Sequence, residues 1–232
     1  MNIMQVVILA AGEGTRLRPY TNLTPKPLFT IGGKPIISHL IEKVNRLGIK
    51  NEEIIVVVSY LKEEIVGYLK NFHNGIKIVE QRLKKGTLAA LESSIENIVD
   101  ENILTIYGDI FFEDSLEGII DKDYAIGVTK VEDVSKFGKV EIDGNYLKEI
   151  KEKSEVGEGY IFAGILKFKK DFFDVFKDVK ANEKSGEYYL TDAIILQNRK
   201  TKFYVYPLKG FWFDIGNEES LKKARETYYS IF

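Results

Sequence analysis

The chain has 232 residues, 44% of them hydrophobic, which is enough to fill the core of one large domain and too many for a disordered chain. Lys and Arg number 33 against 35 Asp and Glu, so the net charge of -2 supplies no overall field for a polyanion and argues against nucleic acid as the main partner. Cysteine is absent and the two histidines stand far apart, which excludes disulfides, thiolate chemistry and a Cys/His zinc site.

Residues 3–9 form a continuous apolar run, the pattern of a strand buried on both faces. A helix is expected over 35–47, where Ile37, Leu40, Ile41, Val44 and Leu47 recur at helical spacing and Gly48 can end it. His39 falls inside that pattern and reads as structural. A second buried strand is expected at 54–58, a helix at 61–72, a strand at 76–79, a helix at 87–98 and a strand at 103–107. This alternation predicts an α/β fold with a Rossmann-like, doubly wound, mainly parallel sheet. After Asp109 the rhythm changes. Strand patterns occur at 124–131 and 160–168, and a hairpin at 138–150 turns at Asp143-Gly144-Asn145. Two helical stretches, a strand at 203–208 and a last helix capped by Asn217 complete the chain.

There is no repeat, no low-complexity segment and no linker, so one domain is expected over 1–232. In it, 1–110 mainly binds nucleotide and 111–232 mainly binds the second substrate. No apolar run approaches the roughly 18 residues of a membrane span, and no basic region precedes the first apolar run. The protein is therefore expected in the cytoplasm, without a membrane partner.

In an open α/β sheet, ligands bind outside the carboxyl ends of the strands. Three polar features fall there: the loop after the first strand, Gln81 after the third and Asp109 after the fourth. The loop "AAGEGTRLRPYTNLTPKPL" places Gly12, Gly14, Thr15, Arg16 and Lys26 together. Its glycines allow backbone N–H groups to approach a phosphate closely, and Arg16 offers a planar fork of donors for phosphate oxygens. Lys26 is bracketed by Pro25 and Pro27, which fix the local backbone and aim the lysine. Leu17 stands where a dinucleotide fingerprint needs a glycine, and no Gly-Lys-Ser/Thr ending is present, so neither a dehydrogenase nor a Walker A site fits. Asp109 at a strand end and Asp214 inside the apolar stretch "GFWFDIGN" are the carboxylates suited to one Mg²⁺ ion, with phosphate oxygens and water completing its shell.

The glycine loop followed by "IGGKPII" resembles the nucleotidylyltransferases that make nucleotide sugars from a nucleoside triphosphate and a sugar 1-phosphate. The likeness continues through "EQRLKKGTLAAL", "YGDI", "FGKVEID", "IKEKSE", "AGILKF" and "WFDIGN", and so covers nearly the whole chain in order. "GEYYLTDAI" looks like uridylyltransferases for N-acetylglucosamine 1-phosphate. The Trp-x-Asp-x-Gly pattern at 212–216 looks more like glucose-1-phosphate thymidylyltransferases and muramic acid-1-phosphate uridylyltransferases.

The resemblance implies the nucleotide-diphospho-sugar transferase type of fold. It implies that Leu9, Ala11, Gly12, Gly14, Thr15, Arg16, Gln81, Gly86, Thr87 and Asp109 bind nucleotide, with Gln81 and Gly86 facing the base. It makes Arg16 and Lys26 catalytic, with Lys26 touching both substrates. It assigns Gly138, Glu152 and Lys153 to the sugar phosphate, and Asp109 and Asp214 to Mg²⁺. UTP or dTTP is the donor expected from Gln81, whose amide pairs with a uracil or thymine edge. Phe162 stands where N-acetylglucosamine enzymes carry an asparagine, and Ser154 where a proline is usual. The chain shows no hexapeptide-repeat tail, so the acetyltransferase half of fused relatives is not expected in it. Two other readings remain open: a cytidylyltransferase acting on phosphocholine or another non-sugar phosphate, and a non-catalytic regulatory relative. A homo-oligomer is compatible with either.

Overall fold

The computed structural model describes residues 4–81, 85–151 and 156–231. In chain order the strands and helices are β1 (Met4–Ala10), a small hairpin β2 (Thr30–Ile31) and β3 (Lys34–Pro35), α1 (Ile36–Arg46), β4 (Ile54–Val58), α2 (Lys62–Phe72), β5 (Lys77–Glu80), α3 (Thr87–Glu92), β6 (Asn102–Tyr107), β7 (Ile110–Phe112), α4 (Glu117–Ile120), β8 (Ala125–Val131), β9 (Lys139–Asp143), β10 (Tyr146–Lys151), β11 (Gly159–Lys169), α5 (Leu190–Asn198), β12 (Tyr204–Pro207), β13 (Trp212–Asp214) and α6 (Glu218–Ile231).

One nine-stranded sheet runs in the order β5-β4-β1-β6-β11-β8-β12-β10-β9. The strands β5, β4, β1 and β6 are mutually parallel, as expected where helices cross over between them. From β11 onward the pairing is antiparallel, except between β8 and β12. The sheet is therefore mixed, with its parallel part in the first half of the chain.

All seven residues of β1 are buried because both faces are covered. Val6 and Ile8 pack toward Leu40 and Ile41 of α1 and Ile65 of α2. Val7 and Leu9 pack toward Leu88 and Leu91 of α3 and Ile194 of α5. Each buried aliphatic side chain contributes roughly 1.5–3 kcal/mol, so these two layers supply most of the drive to fold.

The helix expected over 87–98 stops at Glu92. Ser93 and Ser94 donate their hydroxyls to the carbonyls of Ala89 and Leu91 at 2.8 and 2.7 Å, an alternative to continuing the helix. A short 3₁₀ turn, Ile95–Asn97, follows. Asn217 caps α6 through its Oδ1, which accepts from Ser220 N at 2.9 Å. His39 is structural: its Nε2 donates to Ile31 O at 2.9 Å and its ring packs on Phe111 and Tyr228. The two-stranded sheet of β7 and β13, separate from the main one, is absent from the sequence-based expectation. Among the described residues no helix is long and apolar enough to cross a membrane.

Candidate active site

The residues that directly follow the four parallel strands, Ala11, Ser59, Gln81 and Gly108, all line one cleft of about 690 Å³. Gly108 fits only because it has no side chain. A Cβ there would lie 2.8 Å from the Leu9 carbonyl, to which Gly108 N donates at 2.8 Å.

The glycine loop leaves β1 and turns at Gly14, whose φ of +65° suits glycine. A Cβ on Gly14 would lie 2.9 Å from Lys26 Cγ and 2.9 Å from Thr21 Cγ2, so the bare backbone is the bed on which the Lys26 stem lies. Gly12 has no such crowding, and it faces the cleft. Leu17 is fully buried, which explains why no third glycine stands there: the position belongs to the core. Arg18, by contrast, is half exposed and pairs with Glu13 at 3.7 Å.

Lys26 opens a 3₁₀ turn between its two prolines, is 8% exposed, and its Nζ donates to Asp109 Oδ2 at 3.0 Å. Asp109 does not cap the following helical turn, α4, whose N-cap position is Leu116; Asp114 Oδ1 accepts from Leu116 N at 2.7 Å just ahead of it. The small sheet brings Asp214 to Asp109. Asp214 on β13 pairs with Ile110 on β7, and Ile215 N donates to Asp109 O at 2.9 Å. Burial, and next the charge of Asp109, push the Asp214 carboxyl up to about 6, while Lys26 and Arg16 oppose the rise. At Gly216 a Cβ would lie 2.9 Å from Asp214 Oδ2 and 3.0 Å from Arg16 Nη2. The missing side chain thus leaves the guanidinium and the carboxylate room over the backbone. Two cations of the first loop and two carboxylates from two distant segments converge here.

A pair of crowded hard oxygen donors suits a divalent cation, which would relieve their mutual repulsion. Among the described residues no group of three or more His, Cys, Asp or Glu could hold a metal, so the remaining ligands would be substrate oxygens and water.

Along one side of the cleft, Leu9, Ala11, Gln81, Gly86 and Thr87 form the wall, together with Lys85. Gln81 Nε2 donates to Gly86 O at 3.3 Å. Gly86, with φ +103°, is pressed against the Tyr188 backbone, a contact closed to any larger residue. Thr87 Oγ1 accepts from Leu190 N at 2.9 Å, and Leu88 N donates to Tyr188 O at 3.0 Å. These bonds join the 85–88 turn to the 187–190 segment, which brings Glu187 and Tyr189 into the cleft.

The other end is aromatic. Tyr107 and Phe162 meet edge to face at 5.7 Å, and Phe137 and Trp212 at 6.2 Å. Gly138 lies just outside this wall, next to Phe137 and before β9. Glu152 and Lys153 lie outside the described residues. Sequence reasoning did not single out Glu187, Tyr189, Tyr107, Phe137 or Trp212 as site residues. The signal for Glu187 and Tyr189 was present in "GEYYLTD", and that for Trp212 in its spacing to Asp214.

The nucleotidyl transferase family model matches residues 5–230. The chain is 40% identical over 225 residues to the bifunctional protein GlmU of Methanocaldococcus jannaschii, covering 96% of this chain and 54% of that protein. It thus spans about half the length of that curated relative. It is also 32% identical over 236 residues to the UTP–glucose-1-phosphate uridylyltransferase AglF of Haloferax volcanii, covering 96% of each. Among solved structures, UDP-glucose pyrophosphorylase complexed with UDP-glucose shares the fold with a TM-score of 0.85 at 23% identity, over 99% of this chain and 100% of that one.

Proposed function

The chain belongs to the nucleotidyl transferase family, and from that premise we propose that it transfers a nucleoside monophosphate from a nucleoside triphosphate to a sugar 1-phosphate, releasing pyrophosphate. The observation that carries this reading is the convergence of Arg16, Lys26, Asp109 and Asp214 beside the glycine turn in one cleft. Such a set suits a reaction between two anions, whose mutual repulsion is the first obstacle to attack. The name of one relative supports both substrate classes: AglF is named for UTP and glucose 1-phosphate.

In this reading an oxygen of the sugar phosphate attacks the α-phosphorus in line, and the bond to the β-phosphate oxygen breaks as pyrophosphate leaves. The nucleophile is already an anion, so no enzyme base is required, and catalysis is positioning plus charge stabilisation. The backbone of residues 12–15 holds the triphosphate. Arg16 steadies phosphate oxygens as charge builds on the leaving group. Lys26, held by Asp109, bridges the phosphates of both substrates. Asp109 and Asp214 would hold a Mg²⁺ ion, which supplies Lewis-acid stabilisation of the phosphate oxygens. Leu9, Ala11, Gln81, Gly86 and Thr87 bind the nucleotide, with Gln81 reading a uracil or thymine edge. Gly138, with Glu152 and Lys153, serves the sugar phosphate. The protein acts in the cytoplasm.

The test is a panel of five nucleoside triphosphates against sugar 1-phosphates and phosphocholine, read as pyrophosphate release with Mg²⁺ present. Turnover with UTP or dTTP and a sugar 1-phosphate is expected. Preference for GTP or ATP would overturn the base assignment. Turnover with phosphocholine and CTP alone would overturn the acceptor class.

A further inference from the structure

Asp214 sits on a strand of only three residues, and a one-residue slip of such a strand turns every side chain to the opposite face. Something must hold β13 in register. The strand is tied to β7 at one end by the Ile215 N to Asp109 O bond and at the other by Glu113 N donating to Phe211 O at 3.0 Å. Beyond that far end lies a buried carboxylate that the proposed chemistry does not use. Asp114 is 4% exposed and is not among the residues lining the cleft. Its Oδ1 accepts from Leu116 N at 2.7 Å, and its Oδ2 from Lys209 N at 2.8 Å. The Tyr206 hydroxyl reaches both oxygens, at 3.1 and 3.2 Å.

One side chain therefore binds the turn after β7 to the strand and loop that lead into β13. The surroundings are built for it. Leu116 is held at φ +66°, a conformation that costs a non-glycine residue energy and needs support. A Cβ on Gly118 would lie 2.6 Å from the Tyr206 ring, so only glycine lets that ring come close. Gly210, at φ +75°, lies against Glu113. From the other side Lys43 of α1 donates to the carbonyls of Glu113 and Asp114, both at 2.8 Å, and covers the Phe112 ring at 4.9 Å. Burial, and next the charge of Asp114, push Tyr206 up to about 12, so its hydroxyl remains a donor at ordinary pH.

We propose that Asp114 is a positioning residue that sets the register of β13 on β7 and thereby the approach of Asp214 to Asp109. The inference rests on the reading of those two aspartates as metal-holding groups. Asp114→Asn keeps the size of the side chain but turns an N–H₂ toward Leu116 N or Lys209 N, donor against donor. Trp212 is the only tryptophan and lies on β13 itself, its Nε1 donating to Ala163 O at 3.0 Å. Its emission therefore reports the strand without any substrate.

The experiment compares wild type and Asp114→Asn by circular dichroism, acrylamide quenching of Trp212, Mn²⁺ titration calorimetry with a non-hydrolysable triphosphate bound and no acceptor, and steady-state kinetics. In the folded variant Trp212 should be more readily quenched, and the Mn²⁺ half-saturation should rise about 10-fold, as for loss of a group that orients a metal ligand. The value of kcat should fall about 10-fold with KM for the triphosphate changed less than about 2-fold. A loss of stability alone would not move metal affinity in the folded fraction. A folded Asp114→Asn with wild-type Mn²⁺ binding and kcat would overturn the inference. If that variant does not fold, Tyr206→Phe carries the test, with the same changes expected at about 3-fold, since one of three donors is lost; unchanged values would again overturn it. A wild type that binds no Mn²⁺ would remove the metal reading itself, whereas a binding wild type with an unaltered variant would remove only the role of Asp114.

Discussion

Asp109 stands two residues beyond β6, a strand of 6 residues bonded to β1 on one side and β11 on the other. Asp214 ends β13, a strand of 3 residues paired with β7. The first carboxylate is carried by the main sheet and neutralised by a buried lysine. The second is carried by a short ribbon, is desolvated, and faces its neighbour's charge. Support and strain are thus divided between the two: Asp109 is placed by the core, while Asp214 is held against its own electrostatic preference. That is the pattern expected where a site trades stability for function.

The largest effect should come from removing the cation that stands beside Asp214. Arg16→Ala is expected to fold normally and lose at least about 100-fold in turnover, as for loss of a transition-state donor. Near-normal pyrophosphate release by the purified variant would break the view that the carboxylates and Arg16 form one unit.

The two aspartates should then separate in a way that sharpens the contrast. Asp109→Asn and Asp214→Asn should each raise the Mg²⁺ needed for half-maximal rate, by roughly 10- to 100-fold. Their effects on stability should be opposite. Asp109→Asn leaves the buried Lys26 ammonium without its counter-charge and should cost about 1–2 kcal/mol. Asp214→Asn removes a carboxylate whose ionised form is disfavoured and should add about 1–2 kcal/mol at pH 7. Urea unfolding at pH 7 checks both; shifts of the same sign would refute the division.

A smaller effect is expected from Gly216→Ala. The added methyl would press on Asp214 Oδ2 and Arg16 Nη2, both far ends of side chains that can yield by a few tenths of an ångström. Turnover should fall about 10-fold by displacement of the two groups, with stability changed by less than about 1 kcal/mol. An active variant at wild-type level would mean that Arg16 and Asp214 are not held in this arrangement during the reaction.

The smallest change tests strain away from the cleft. Lys167 on β11 is 1% exposed, and its Nζ donates to Asn102 Oδ1 at 2.9 Å. Burial lowers it to about 8 from 10.5. Between those values the unfolded chain binds more protons than the folded one, so raising the pH stabilises the fold. The gain from this group should be about 1 kcal/mol between about pH 8 and 9, and Lys167→Met should abolish it. Denaturant titrations of both proteins across that range check the difference.

Much of the first half was legible in the sequence. Residues 54–58 are a strand in both views, because five consecutive β-branched residues, buried on both faces, suit a central parallel strand and little else. The helix after Pro35 followed from spacing. The glycine turn, Arg16 and Lys26 could be named because proline, glycine and guanidinium restrict what the backbone and its partner can be. The second half was less legible. The helix after Thr87 was drawn too long because its apolar pattern outlasts the point at which two serines take the backbone carbonyls. Residues 110–112 and 212–214 were not recognised as a sheet, since neither run is long enough to show a period. Glu187 and Tyr189 went unassigned because their way into the cleft depends on backbone bonds to residues about a hundred positions earlier.

The sequence by itself determined the α/β order, the buried parallel strands, and the glycine, arginine, lysine and aspartate residues that meet in the cleft. These rest on local chemistry: hydrophobic period, backbone freedom at glycine and proline, and the charge a side chain carries. Only the tertiary structure decided that Asp109 and Asp214 are neighbours, that Lys26 is spoken for by one of them, and that Gly216 leaves room for Arg16 beside the other. Those are relations between segments as much as two hundred residues apart. They come from strand pairing and burial, which depend on the whole packed chain and leave no mark in any single stretch of it.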